Sequence, residues 1–184
     1  MSREPITGPS VWTADDLQRD TSWIYTLDAS HLQDLDATRP LSAPVTTLLD
    51  RLSEELEHGR GVARLRGLPI DRYNEDELRR IFWAIGEHMG TPLFQNRTGE
   101  IMGEVRDETR DATPSFQTTE PGKVQSSRAR ARSTGPLRFH TDRCDVIALF
   151  CVRNGIAGGV SKLASIPTIY NQILRRRPDL PPRR

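Results

Sequence analysis

The chain has 184 residues, enough for one domain with a real core. Its formal charge is +1, with 28% charged and 35% hydrophobic residues and a mean hydropathy of -0.58, so no global field draws it to nucleic acid or to a membrane surface. No apolar run approaches membrane length, the N-terminus lacks a signal-type apolar core, and two cysteines make no disulfide framework, so a cytoplasmic protein is expected.

Residues 1–22 are polar, with Trp12 as the only large anchor. Ser22 to Leu27 reads as a short strand with Trp23, Tyr25 and Leu27 on one face. Ser30 is placed to cap a short helix carrying Leu32 and Leu35, and Arg39 to Pro44 reads as a linker. A helix is expected from about Val45 to His58, where Val45, Leu48, Leu49, Leu52 and Leu56 make an apolar stripe before Gly59. Gly61 to Arg66 follows as a strand and Gly67-Leu68-Pro69 breaks it. Asn74, with Glu77 three residues on, has the form of a capping box. The helix it opens carries Leu78, Ile81, Phe82, Ile85 and Met89, and stops at Gly90. Glu100 to Arg106 alternates weakly, as a further strand would.

Residues 107–136 form a long polar loop with few apolar anchors. Such a loop reads equally as an enzyme lid or as simple disorder. Arg128, Arg130, Arg132 and Arg138 give it local positive charge, but the aromatic interleaving of a single-strand nucleic-acid binder is nearly absent. Lys123 and Lys162 are the only lysines among 26 basic residues, which reads first as genome-composition bias.

The most apolar run in the chain, Val146 to Val152, has the length and composition of a buried strand. Gly155 to Gly159 reads as a turn, Val160 to Ser165 as a returning strand, and Pro167 as the opening of a helix with Ile169, Tyr170, Ile173 and Leu174, ended by Pro178. Leu180 to Arg184 reads as an unstructured tail. Just ahead of the apolar run stands Phe139-His140-Thr141-Asp142-Arg143-Cys144. In extended backbone His140 and Asp142 share a face, and such a pair supplies two of the three donors that hold a non-haem Fe(II) with open positions. Two other readings stand beside it: a surface histidine paired with Asp142, and a zinc site in which Cys144 adds a thiolate. Cys144 and Cys151 are seven apart on one presumptive strand, so they face opposite sides and are not expected to bond each other.

Three segments resemble the TauD/TfdA family of Fe(II)- and 2-oxoglutarate-dependent dioxygenases. They are Gly59 to Pro69; Ile85 to Gly90 followed by Gln95-Asn96; and Phe139 to Asp142 through Gly158-Gly159-Val160-Ser161 to Ser165, Tyr170-Asn171 and Arg177 to Leu180. The spacing from the His-x-Asp triplet to the Gly-Gly-x-Ser turn is its most specific part. The resemblance implies a single domain of α+β class, a double-stranded β-helix (a jelly-roll, cupin-like core) with flanking helices. It implies that His140 and Asp142 hold iron, that Ser161 contacts 2-oxoglutarate, and that Gln95, Asn96 and Phe139 line the substrate pocket. The implied partners are a small organic substrate and O₂, with no nucleic acid and no membrane. The implied reaction decarboxylates 2-oxoglutarate to succinate while a C–H bond of the substrate is oxidised.

His31, His58 and His88 match no ligand position and are expected to be structural. In the family a second histidine ligand and a carboxylate-clamping arginine lie well downstream of the triplet, and the matched segments supply neither. The chain is therefore expected to be the N-terminal portion of such a domain, incomplete in its C-terminal half, with exposed strand edges that favour self-association. An alternative of the same fold is a catalytically incomplete remnant or an interaction subunit.

Overall fold

The computed structural model describes residues 4–37, 40–94, 99–105, 139–142 and 144–180. Its helices start where a short polar side chain meets the first free N–H groups. Thr13 and Asp16 form a reciprocal capping box that opens α1, Ala14–Arg19. Asp28 does the same with His31 for α2, Ala29–Asp36, so the cap is Asp28 and not Ser30. Pro44 sits in the first turn of α3, Ala43–Glu57. Asn74 and Glu77 close the expected box at α4, Glu75–Met89. Ser165 accepts from the Thr168 N–H at the start of α5, Ile166–Arg176.

Two strands pair, β1 (Ile24–Thr26) and β2 (Arg64–Arg66). They run parallel, with Ile24 opposite Arg64, Tyr25 opposite Leu65 and Thr26 opposite Arg66. Parallel strands need a crossover, and α2 and α3 supply it. After β2 the chain turns at Gly67, whose φ is +101°. A Cβ there would meet the Leu27 carbonyl oxygen at 2.8 Å, so only glycine fits the close approach.

The apolar stripes of α3 and α4 face each other. Leu27, Leu35, Val45, Leu48, Leu49 and Ile81 form the core, with Tyr25, Leu65 and Ile85 packed against it. His88 Nε2 meets Asp50 Oδ1 at 2.7 Å and ties the two helices at their surface. The Phe82 and Phe150 rings stack with centroids 5.3 Å apart.

The chain forms two compact units, Met1–Thr91 with Ala148–Arg184, and Pro92–Ile147. All helices and both strands above belong to the first. The described residues of the second are irregular, so Glu100 to Val105 is not the strand its weak alternation predicts. Val146 to Val152 and Val160 to Ala164 are not strands either. A strand is stable only when a neighbour satisfies its N–H and C=O groups, and among the described residues these segments have no pairing neighbour. The class is α+β as expected, but a double-stranded β-helix is not present among the described residues. The loop 107–136, Gln95, Asn96 and the tail 181–184 lie outside the described residues. No helix among the described residues is long and apolar enough to cross a membrane.

Candidate functional site

His140 and Asp142 are separated by Thr141 in irregular, solvent-facing backbone of the second unit. The His140 Nε2 lies 3.8 Å from Asp142 Oδ2, and both side chains are open to solvent. The two therefore do point to a common side, although no strand enforces it. Two donors each about 2.1 Å from one divalent ion can stand at most about 4.2 Å apart, and this pair lies inside that limit. An imidazole nitrogen and a carboxylate oxygen suit a borderline ion such as Fe(II). The pair fits the cation by chemistry and by reach.

Cys144 does not join them. Among the described residues no group of three or more His, Cys, Asp or Glu side chains is gathered as a metal centre would need. Partial burial, and then the charges of Asp142 and Asp145, push the Cys144 thiol above its ordinary range. Both cysteines are free, as expected.

Phe139, beside the triplet, is 72% exposed, an apolar ring held open to solvent. Ser161 lies in the first unit and is exposed. It follows Gly158 and Gly159, whose φ values of +79° and +67° make the expected Gly-Gly turn one that side-chain-bearing residues rarely adopt. Gln95 and Asn96 lie outside the described residues.

The other histidines serve the scaffold. His31 Nδ1 lies 2.6 Å from Asp28 Oδ1 inside the α2 capping box, His88 pairs with Asp50, and His58 is the C-cap of α3. A cleft of about 490 Å³ is lined by Trp12, Asp16, Glu55, His58 and Arg60. There Arg60 bonds Glu55 at 2.8 Å and also Asp20, so the charges neutralise one another rather than wait for a ligand.

The family model described as "Taurine catabolism dioxygenase TauD, TfdA family" matches residues 28–181. The chain is 30% identical over 196 aligned residues to FR-33289 synthase of Streptomyces rubellomurinus (strain ATCC 31215), an alignment covering 97% of this chain and 55% of that protein. It is 32% identical over 131 residues to taurine hydroxylase-like protein SAT17 of Stachybotrys chartarum (strain CBS 109288 / IBT 7711), covering 70% of this chain and 32% of that one. The chain thus spans about half the length of the first relative and about a third of the second. A match that runs through the first β-strand's neighbours, both long helices, the His-x-Asp triplet and α5 leaves one assignment: the chain belongs to the TauD/TfdA dioxygenase family.

Proposed function

We propose that this protein works as an Fe(II)- and 2-oxoglutarate-dependent dioxygenase that oxidises a small organic molecule, within a cupin-like double-stranded β-helix domain. The observation that carries the reading is the His140–Asp142 pair, with donors 3.8 Å apart, inside a family match that spans residues 28–181. The word hydroxylase in one relative's name agrees with it. When bound, the iron activates O₂ with electrons from 2-oxoglutarate, which leaves as succinate and CO₂.

The chain's own residues have simpler tasks. His140 offers a neutral ring nitrogen and Asp142 a carboxylate, which together hold one cation while leaving it other positions. The Ser161 hydroxyl donates a hydrogen bond to a 2-oxoglutarate carboxylate. Phe139 presents an apolar face to substrate, and Gln95 and Asn96 supply polar contacts to it. Two free thiols accord with a reducing, cytoplasmic location. The exposed apolar side chains of residues 149–173 favour association between copies, while nothing in charge or composition favours nucleic acid or membrane.

The test is anaerobic addition of Fe(II) and 2-oxoglutarate to the purified protein. A visible charge-transfer band is expected, lost in His140→Ala, with succinate formed once O₂ is admitted. A folded sample with neither band nor succinate would overturn the reading.

A further inference from the structure

Helix α5 has no buried residue of its own, although it follows directly on the segment that carries Ser161. An amphipathic helix is ordinarily held by its apolar face, but Ile166, Ile169 and Ile173 are all exposed. What holds α5 is polar and comes from the far end of the chain. The Asn171 side chain accepts from the Ile6 N–H at 2.8 Å and donates to the Ile6 carbonyl at 2.7 Å, pairing with one backbone unit as a neighbouring strand would. Ser165 Oγ donates to the Ser10 carbonyl at 2.6 Å, and Thr168 Oγ1 donates to the Trp12 carbonyl at 2.9 Å. Trp12 Nε1 in turn donates to the Arg60 carbonyl at 2.9 Å, which fixes this N-terminal segment to the loop ahead of β2. Ser165 is itself buried, so its bond is shielded from competing water.

The register of these bonds is informative. Residues 165, 168 and 171 are each three apart, so they lie along one face of α5, and they meet residues 10, 12 and 6 of the segment. We propose that the segment Ile6–Trp12 is a strap that holds the Ser161 arm in place, with Ser165, Thr168 and Asn171 as positioning residues for the Ser161 hydroxyl. The inference rests on the reading of Ser161 given under Proposed function. Ser165 is four residues beyond Ser161 and is both the cap of α5 and the strap's shielded anchor. Loosening the strap frees the arm and so weakens 2-oxoglutarate, but leaves the core of α3 and α4 untouched.

Asn171→Ala is the cleanest probe, because among the described residues both side-chain hydrogen bonds of Asn171 go to the Ile6 backbone. Ser165→Ala is compared with Ser165→Thr, which keeps the hydroxyl. Backbone amide exchange, read by mass spectrometry without any ligand, is expected to rise about tenfold over residues 160–176 and 6–12 in Asn171→Ala and Ser165→Ala, with no change in α3 and α4. Ser165→Thr should restore protection. The same Ala variants should raise the 2-oxoglutarate dissociation constant about tenfold while binding of Fe(II) alone is unchanged. Unaltered exchange in both Ala variants would overturn the strap whatever the ligand data show. Faster exchange with unaltered 2-oxoglutarate affinity would overturn the positioning role and leave a structural clasp. A wild-type protein that binds no 2-oxoglutarate, yet shows the exchange effect, would overturn the reading of Ser161 and with it the positioning role.

Discussion

The Asp28 carboxylate accepts from the Ser30 hydroxyl at 2.7 Å, from the Ser30 N–H at 2.9 Å and from the His31 N–H at 3.1 Å. These bonds favour its charged form, the Ser30 hydroxyl most, and hold it well below the usual carboxylate range. Asp16 and Asp20 are depressed in the same sense by Thr13 and by Ser22. A carboxyl whose folded value lies below its unfolded one adds stability that is present above the unfolded value, about 3.9, and is lost as pH falls through the folded one. The protein should therefore lose stability progressively below about pH 4. Asp28→Asn keeps an acceptor at the cap but does not titrate. Thermal unfolding followed by circular dichroism should show a shallower fall in Tm between pH 5 and pH 2 for this variant than for the wild type. Parallel curves would mean that the cap's charge is irrelevant to acid stability. A different polar centre, Asp34, is only 3% exposed and accepts from the Ser42 N–H at 2.8 Å and Oγ at 2.6 Å. It joins the end of α2 to the start of α3.

At the scale of elements, what is legible in the sequence is what is local. The α4 capping box at Asn74 and Glu77, the apolar stripe of α3 and the opening of α5 at Pro167 are all decided within one or two turns, and all three are present. Helix α1 escapes a reading by apolar periodicity because it is six residues long and buries nothing, although Thr13 and Asp16 carried its signal. Pairing is not local. Val146 to Val152 has strand composition, but composition does not say which segment will satisfy its backbone groups. The His140–Asp142 pair was legible as an i, i+2 relation, whereas the Asn171–Ile6 contact spans 165 positions and left no local trace. The α3–α4 seam offers a direct test of the stripe. Leu49 is fully buried and Leu56, on the same helix, is only partly so. Leu49→Ala should cost about 2–5 kcal/mol, and Leu56→Ala distinctly less, by urea denaturation. Equal losses would show that the stripe does not face the core as the structure has it.

At the scale of the whole molecule the first unit has an imbalance. Its core is drawn from residues 27–81, between β1, β2, α2, α3 and α4, while the part contributed by residues 148–180 keeps most of its large apolar side chains outside, Phe150 against Phe82 being an exception. Leu149 is 74% exposed, Leu163 64%, and Ile156 and Val160 are more exposed still. Each such side chain would gain roughly 1.5–3 kcal/mol on full burial, and a monomer seldom leaves a run of them in water. Two copies that bring these surfaces together would remove them from solvent. Sedimentation velocity should show the weight-average mass rising with protein concentration. The double variant Leu149→Ser with Leu163→Ser should shift that rise to higher concentration while far-ultraviolet circular dichroism stays the same, because neither residue belongs to the core. If the wild type sediments as a monomer across the accessible concentration range, the apolar surface does not drive association between copies. If the wild type associates and the double variant does so equally, association runs through another face, and α5, with Ile166, Ile169 and Ile173 exposed, is the next to be altered.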